Sequence, residues 1–335
     1  MRVRKSPFTV SLALWSALVL PAPGAAREKR QPAEAHGPAI LWTNPSDIRS
    51  RDLFDGPGGS GHAPRGPFTF VKEDMDGTNP KFVVTDRDGT KWKVKLGNEA
   101  RPETVASRIV WAVGYRANAD YFVAELHVSG LPARLRRGQN LVEAGGTVRN
   151  ARLKRETEGD RKVGTWRWRH DAFTGTRELN GLRTLMAVLN NWDLKDENNA
   201  VYQEDGRRIY MVSDLGASFG CAGRCWPRER SKGDVGKYSR SVFIRRVTHD
   251  TVSFQTPARP RFLYMVNPKE YVRRIRLEWI GRDIPRADAR WMGRWLARLS
   301  AQQVHDAFRA AGYSQPEIER FSAVFERRVA SLTDL

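Results

Sequence analysis

The sequence predicts an α+β fold in which a β-rich first half is followed by a mainly helical second half. Three runs, FTFVKEDM, KFVVTD and TKWKVKLG, begin at Phe68, Lys81 and Thr90 and alternate apolar with polar residues between turn signals, as antiparallel strands do. From Arg177 onwards, apolar residues recur at helical spacing instead. With 335 residues, 40% of them hydrophobic, the chain can form two lobes around a sizeable core.

The first 26 residues have the pattern of a secretory signal peptide. Basic residues occur within the first five positions, an apolar run extends from Phe8 to Leu20, and small residues end at Ala26. This run is shorter than the roughly 20 residues that a membrane span needs. We expect cleavage and an exported chain, periplasmic or extracellular, whose mature form has no transmembrane helix. An uncleaved N-terminal anchor is the alternative.

The formal net charge of +19 favours anionic partners, such as nucleotides, phosphorylated or acidic polymers, nucleic acid and anionic lipid. A soluble cationic surface without a specific partner would explain the charge equally well. No recognised DNA- or RNA-binding motif is present in the sequence, so nucleic acid is the weaker hypothesis.

The β-rich half begins after an arm. Residues 27–67 are rich in Pro, Gly and charge, which predicts an extended N-terminal arm with little core of its own. After the three strands, RPETVASRIVWAVGY has Pro102 in its first turn and Glu103 on its apolar face, which predicts a helix packed on the sheet. A fourth strand, DYFVAELHV, begins at Asp120.

Residues 131–170 are basic and hairpin-like, and we interpret them as a basic hairpin insertion. In GTWRWRHD, Trp alternates with Arg, so that Trp166 and Trp168 would share one face of a strand. Such a face can stack on bases or sugars. More often the tryptophans cover a sheet, which is the interpretation that we favour.

The second half is helical around one hairpin. Apolar residues from Leu179 to Leu189 form a helical stripe, and the strand-like runs NAVYQ and RIYMVSD follow, joined by EDGR. From Asn267 to the end the sequence is helical, in segments that open with Pro, Ser or a capping-box pattern.

Short polar side chains are concentrated in NNWDLKDENNAVY, where the first helical stripe ends. Asp193 is followed five residues later by Asn198, and VSDLGASFG beyond the hairpin contains Asp214. DLKDEN resembles the catalytic-loop pattern D-L-K-x-E-N of protein kinases. SDLG resembles their metal-binding D-F-G, with Leu215 in place of Phe. Upstream, WKVKLG, followed by the helix carrying Glu103, resembles their nucleotide-gripping strand and regulatory helix.

The resemblance covers about residues 68–220, and it departs from ordinary protein kinases in three places. Asn191-Trp192 stands where His-Arg is usual, DGTNP has the single glycine Gly77 instead of a Gly-rich loop, and no A-P-E is present. NWDLKDEN and SDLGASFG are more similar to divergent branches: phosphoinositide-kinase-like, HipA-like, secretory-pathway and CotH-like kinases. The last two work outside the cytoplasm, in agreement with the signal sequence.

This resemblance implies a two-lobed protein-kinase-like fold, with an N-lobe over 68–130 and a C-lobe over 131–335. Asp193 would position the acceptor hydroxyl, and Lys195 would neutralise charge on the transferred phosphoryl group. Lys95 would hold the nucleotide phosphates.

The remaining predicted site residues would orient the lysine or bind a metal ion. Glu103 would orient the lysine, and the oxygens of Asn198 and Asp214 would hold Mg²⁺ (or Mn²⁺) beside ATP. Each residue also has an ordinary explanation. Glu103 lies near a helix start, where an acid interacts favourably with the helix dipole. DLKDENN can be a polar turn, and Asp214 can be the residue that ends a strand.

The two cysteines, Cys221 and Cys225, lie in CAGRC. In an oxidising compartment they could form a small-loop disulfide, which we favour over two buried thiols because export is predicted. The histidines are scattered without ligand spacing, so we expect no zinc site.

The sequence therefore supports an exported kinase-like phosphotransferase that moves the γ-phosphoryl group of ATP to a protein or envelope hydroxyl. The alternative is a catalytically inactive, basic envelope protein that binds an anionic polymer or a partner protein.

Overall fold

A computed structural model describes five segments of the chain, residues 36–77, 79–156, 161–169, 171–222 and 232–335. Their fold is α+β, with a sheet-rich N-terminal part and a helical C-terminal part, which confirms the predicted fold class. The predicted signal peptide lies outside the described residues. Within them, no helix is long and apolar enough to cross a bilayer.

Strands and helices are numbered here in chain order. The strands are β1 Ala39–Ile40, β2 Phe68–Glu73, β3 Lys81–Thr85, β4 Lys91–Lys95, β5 Asp120–Ser129, β6 Thr147–Arg155, β7 Arg161–Gly164, β8 Asn199–Glu204, β9 Arg207–Val212, β10 Ile244–Val247, β11 Thr251–Phe254 and β12 Ile284–Pro285. The helices are α1 Ala100–Ala112, α2 Arg177–Leu189, α3 Val235–Arg240, α4 Arg261–Val266, α5 Pro268–Leu277, α6 Arg286–Leu296, α7 Ala301–Arg309 and α8 Gln315–Thr333.

A closed barrel with the strand order β2-β3-β4-β6-β5 forms the N-terminal part. Because side chains alternate along a strand, Trp92 and Val94 of β4 pack into the barrel core, while Lys91, Lys93 and Lys95 lie on its outer face. The indole Nε1 of Trp92 donates to Asp86 Oδ2 at 2.8 Å, so the one polar group of this core side chain is satisfied. The strand therefore presents a row of lysines outside the barrel.

Strand β6 completes the barrel between β4 and β5, with Lys95 opposite Arg152 and Lys93 opposite Lys154. The sequence instead predicts a basic hairpin insertion over 131–170, outside the first lobe. Part of this segment, β6, lies in the barrel, because it pairs with β4 as well as with β5 and its basic side chains alternate with the buried Ala151 and Leu153.

Both tryptophans of the Trp/Arg stretch are buried, at 3% exposure for Trp166 and 2% for Trp168. They follow β7 instead of sharing a strand, their ring centroids are 4.9 Å apart, and Trp166 Nε1 donates to Met211 O at 2.9 Å. They therefore belong to the core and cannot stack on a polymer. This agrees with the favoured interpretation of the pair as packing residues. The alternative hypothesis, binding of an anionic polymer, can therefore not rely on these two rings.

Helix α1 packs against β5 and β6, as the sequence predicts for the segment beginning at Arg101. Its buried Arg108 donates to Asp120 O at 2.7 Å and to Phe54 O at 3.1 and 3.2 Å. One guanidinium thus joins the helix, the barrel and the N-terminal arm.

The N-terminal arm is part of the main core. Leu41, Ile48 and Leu53 are buried in it, β1 pairs in parallel with β9, and the side chain of Gln303 in α7 donates to Ile48 O at 2.8 Å and Arg51 O at 2.9 Å. The described residues 36–67 of the arm therefore share the core of the rest of the chain.

The predicted helical stripe is α2, which packs on α6 and α8. Thr176 caps its start by accepting from Leu179 N at 3.2 Å, and Asn190 ends it with a φ of 56°. Capping boxes at Ser300 and Ser314 start α7 and α8, as the sequence predicts. The hairpin of β8 and β9 is also confirmed.

A small sheet of β10, β11 and β12 interrupts the helical part and is missed by the sequence analysis. Strand β12 has two residues, and β10 has the sequence IRRV without apolar alternation. Neither has the periodicity by which a strand is recognised.

We predict that Arg108→Ala lowers the free energy of unfolding by about 3 kcal/mol or more, because buried carbonyl oxygens lose their donor. Urea unfolding measures the effect. The matched control is Arg87→Ala, whose side chain is 55% exposed and which should change stability by less than about 0.5 kcal/mol. Equal effects of the two substitutions would contradict this account of the arm.

Candidate active site

The ammonium group of Lys95 is the centre of a buried cluster of charges. Lys95 ends β4 on the outer face of the barrel and is 4% exposed. Its Nζ lies 2.9 Å from Glu99 Oε2, 2.8 Å from Glu103 Oε2 and 3.1 Å from Asp214 Oδ1. Lys95 is thus not the solvated lysine that an alternating strand usually carries.

Glu103 is shared between two cations. It lies on the face of α1 that packs on the barrel, is 1% exposed, and accepts from Arg152 at 2.9 Å as well as from Lys95. Lys95 and Arg152 are cross-strand partners, so the register of β4 and β6 places both beside one carboxylate. Burial alone would lower the pKa of Arg152, but Glu103 and Asp120 hold it above its ordinary value.

Glu99 joins three separate segments at the start of α1. Its carboxylate contacts Lys95, accepts from Asn79 Nδ2 at 2.5 Å, and pairs with Lys232. Gly216 packs against it so closely that a Cβ there would lie 2.7 Å from Glu99 Oε2. Because Gly216 has no side chain, the backbone after Asp214 can pass close to Glu99.

Asp214 follows β9 and faces Lys95. Its Oδ1 accepts from Lys95 and from the backbone N–H of Gly216 at 3.3 Å. Burial would raise the pKa of this carboxyl, but the ammonium of Lys95 and the Gly216 hydrogen bond hold it below its ordinary value. The carboxylate therefore stays ionised near neutral pH.

The loop after α2 is folded around Asp193 by its own asparagines. Asn191 Oδ1 accepts from Asp193 N at 3.2 Å, and Asn198 Nδ2 donates to Asp193 O at 2.6 Å. The Asp193 carboxylate lies 3.2 Å from Lys195 Nζ. The polar turn that the sequence suggests is thus present, and it holds Asp193 and Lys195 together.

The hairpin of β8 and β9 brings this loop beside Asp214. Asn198 O accepts from both the backbone N–H of Ser213, at 2.8 Å, and its hydroxyl, at 3.0 Å. Asn198 and the residue before Asp214 are therefore direct neighbours. The catalytic, nucleotide-binding and metal-binding roles of these residues stay predictions.

The side-chain oxygens of Asn198 and Asp214 are suitable ligands for Mg²⁺, which prefers carboxylate and amide oxygens. Asn198 Nδ2 donates a hydrogen bond to Asp193 O. Its Oδ1 accepts no hydrogen bond among the described residues, so this oxygen could bind a metal ion. Glu99, Glu103 and Asp214 also place carboxylate oxygens within 4.8 Å of one another. Lys95 already contacts all three, so they form an ion-pair cluster around an ammonium.

A cleft of about 1050 Å³ opens beside β4 and is lined by Lys93, on the same strand face as Lys95. Tyr121 and Tyr202 contribute aromatic rings to its walls. Four other basic side chains that line it form no ion pair within the described residues: Lys91, Lys154, Arg155 and Lys162. The volume is that of a small-ligand pocket, and the charge favours an anionic ligand.

Three residues of the cluster are not predicted from the sequence: Glu99, Arg152 and Lys232. Glu99 lies four residues after Lys95, but the two residues are not on one helix, so this spacing does not predict that their side chains meet. Arg152 and Lys232 reach the site through strand pairing and through the segment after Asp214, neither of which a single sequence displays. Cys225 lies outside the described residues, so its disulfide with Cys221 stays a prediction.

No protein-family model matches this sequence, and no curated protein sequence is similar to it. Among solved structures, the chain is similar to the proinflammatory kinase CtkA of Helicobacter pylori, with 11% identity, a TM-score of 0.44, and coverage of 79% of this chain and 96% of that one. It is also similar to the Golgi casein kinase, with 11% identity, a TM-score of 0.37, and coverage of 81% and 72% respectively. At this identity the likeness concerns the fold, and the function proposed below rests on the contacts of Lys95.

We predict that Asp214 contributes to the pH dependence of stability. Because its folded-state pKa lies below the ordinary value of 3.8, its ionised form stabilises the fold above that value, and this stabilisation is lost as pH falls through the folded pKa. Wild type should therefore lose more unfolding free energy than Asp214→Asn between about pH 5 and pH 3. Lys95→Met, which removes the partner, should flatten the curve likewise. Parallel curves for all three proteins would contradict the ion pair.

Proposed function

We propose that this protein is an exported kinase-like phosphotransferase that moves the γ-phosphoryl group of ATP to a hydroxyl of a protein or envelope molecule. One observation carries the proposal: Lys95 contacts both Glu103 of α1 and Asp214 after β9, within 3.1 Å. Protein kinases require a strand lysine paired with a helix glutamate, together with a metal-binding aspartate. The same residue types meet here in the same chain order.

The proposed chemistry needs positioning more than covalent catalysis. Lys95 holds the nucleotide phosphates and is itself held by Glu103, which Arg152 keeps in place. The acceptor hydroxyl oxygen attacks the γ-phosphorus, the bond to the β–γ bridging oxygen breaks, and ADP leaves. Asp193 takes the proton of the hydroxyl, and Lys195, 3.2 Å from Asp193, neutralises charge on the transferred group.

Asn198 and Asp214 would hold Mg²⁺ (or Mn²⁺), which when bound neutralises charge on the nucleotide phosphates. Phosphates that reach Lys95 compete with carboxylates that already surround it, since all three protons of the ammonium have an acceptor. Asp214 is the most accessible of the three acids, with 34% of its side chain exposed. With a nucleotide on Lys95, Asp214 would be the acid that exchanges its contact with Lys95 for one with the ion.

The basic cleft supports a second candidate, a non-catalytic envelope protein that binds an anionic polymer or a partner protein. The basic side chains of the cleft, Lys91, Lys154, Arg155 and Lys162, would serve that role without any phosphoryl transfer. Under this hypothesis, Asp193 and Asp214 have structural roles only. Binding and transfer therefore have to be measured separately.

We predict that ATP with Mg²⁺ raises the melting temperature of the mature chain by about 2 °C or more, and that the rise depends on the metal. Asp214→Ala should abolish it, whereas Asp250→Ala, which removes an exposed carboxylate, should retain it. Thermal shift with ATP, ADP and no nucleotide, each with and without Mg²⁺, makes the comparison. No shift in wild type would overturn the ATP-dependent function and leave the anionic-ligand candidate.

We predict that Asp193→Asn lowers phosphoryl transfer from γ-labelled ATP by about 10²-fold or more while the ATP-dependent thermal shift remains. The asparagine keeps the shape of the loop but cannot accept the proton. Label transfer to the protein itself, to envelope extracts and to water is measured. Equal transfer by wild type and variant would exclude Asp193 as the base.

A further inference from the structure

Exposed apolar side chains are concentrated at α4 and α5. Eleven large apolar side chains are exposed within the described residues, and six of them lie between Phe262 and Ile275. The most exposed are Met265 at 83%, Val266 at 69% and Tyr264 at 61%, at the junction of the two helices. Apolar patches of this kind on a protein surface mark interaction sites.

Helical geometry separates the buried and exposed faces of this pair. In α4, Leu263 is fully buried, whereas Phe262, Met265 and Val266 share an outward face. In α5, Glu270 is buried, whereas Val272 and Ile275 point outward. The rings of Tyr264 and Tyr271 are 5.6 Å apart, so the two helices form one unit.

The same surface is cationic. Arg261, Lys269 and Arg276 are exposed and form no ion pair within the described residues. The one acid between 261 and 277 is Glu270, which is buried and paired with Arg273 at 3.1 Å and Arg274 at 3.0 Å. No exposed carboxylate on this stretch offsets the positive charge.

We propose that this surface, the exposed faces of α4 and α5, binds an anionic lipid membrane. Protruding Phe, Tyr and Met side chains flanked by Lys and Arg are the combination by which interfacial helices insert at the headgroup level of such membranes. The three most exposed of these side chains, Tyr264, Met265 and Val266, protrude at the junction of the two helices, which suits insertion between lipids. This proposal is independent of phosphoryl transfer, and it would place an exported protein at an envelope membrane surface.

Co-sedimentation of the full mature chain with vesicles tests the proposal. Wild type should bind vesicles of phosphatidylcholine with about one third phosphatidylglycerol at least about tenfold more tightly than pure phosphatidylcholine vesicles, and salt should weaken the binding. Met265→Asp combined with Val266→Asp should lower binding about tenfold or more. Lys269→Glu combined with Arg276→Glu should remove the preference for anionic lipid.

Matched controls use similar side chains elsewhere. Met75 follows β2, outside α4 and α5, and is 47% exposed, so Met75→Asp should bind like wild type, as should Lys72→Glu. Each variant is first checked by its melting curve. Unchanged binding by the Met265/Val266 variant, or equal binding to both vesicle types, would overturn the proposal. So would the absence of vesicle binding combined with self-association that the variant loses, which would identify a second copy as the occupant.

Discussion

The charge of one buried lysine determines how the barrel, helix α1 and the segment after β9 are arranged. An ammonium group at the burial of Lys95 would cost several kcal/mol without partners, so its carboxylates have to be in place for the fold to be stable. Glu103 comes from α1 and Asp214 from the chain beyond the hairpin. Lys95 thus couples the position of the helix to that of the C-terminal part, and a slip of β4 by one residue would turn it into the barrel core.

Around this lysine the cluster is nearly neutral. Glu99, Glu103 and Asp214 face Lys95, while Arg152 and Lys232 contact the same glutamates from outside. Such alternation keeps each buried charge next to an opposite one, which a low-dielectric environment requires. The acids of this cluster are therefore required by its buried cations, although the chain as a whole has a net charge of +19.

Local pattern was sufficient for the elements that place the site. The alternation of KWKVK, the apolar face containing Glu103, the stripe of α2 and the EDGR hairpin all predict what the structure contains. Lys95, Glu103 and Asp214 are in contact. Asp193 and Asn198 lie in the adjacent loop, and the roles of all five residues stay predictions.

What could not be predicted depends on contacts between distant segments. Strand β6 looks like a basic hairpin until β4 and β5 are placed on either side of it, and Arg152 then faces Glu103. The alternation of Trp and Arg suggests one face of a strand, but Trp166 and Trp168 follow β7 and are packed in the main core. Glu99 looks like any acid before a helix, and its importance follows from Lys95, Asn79 and Lys232 meeting around it.

The bond from Gln303 to the arm has a consequence for how the molecule folds. Gln303 lies 255 residues after Ile48 in the chain. Contacts of such sequence separation carry a large loop-closure cost and form late. The arm therefore lacks these final partners until α7 is present, and the core that the two segments share closes late in folding.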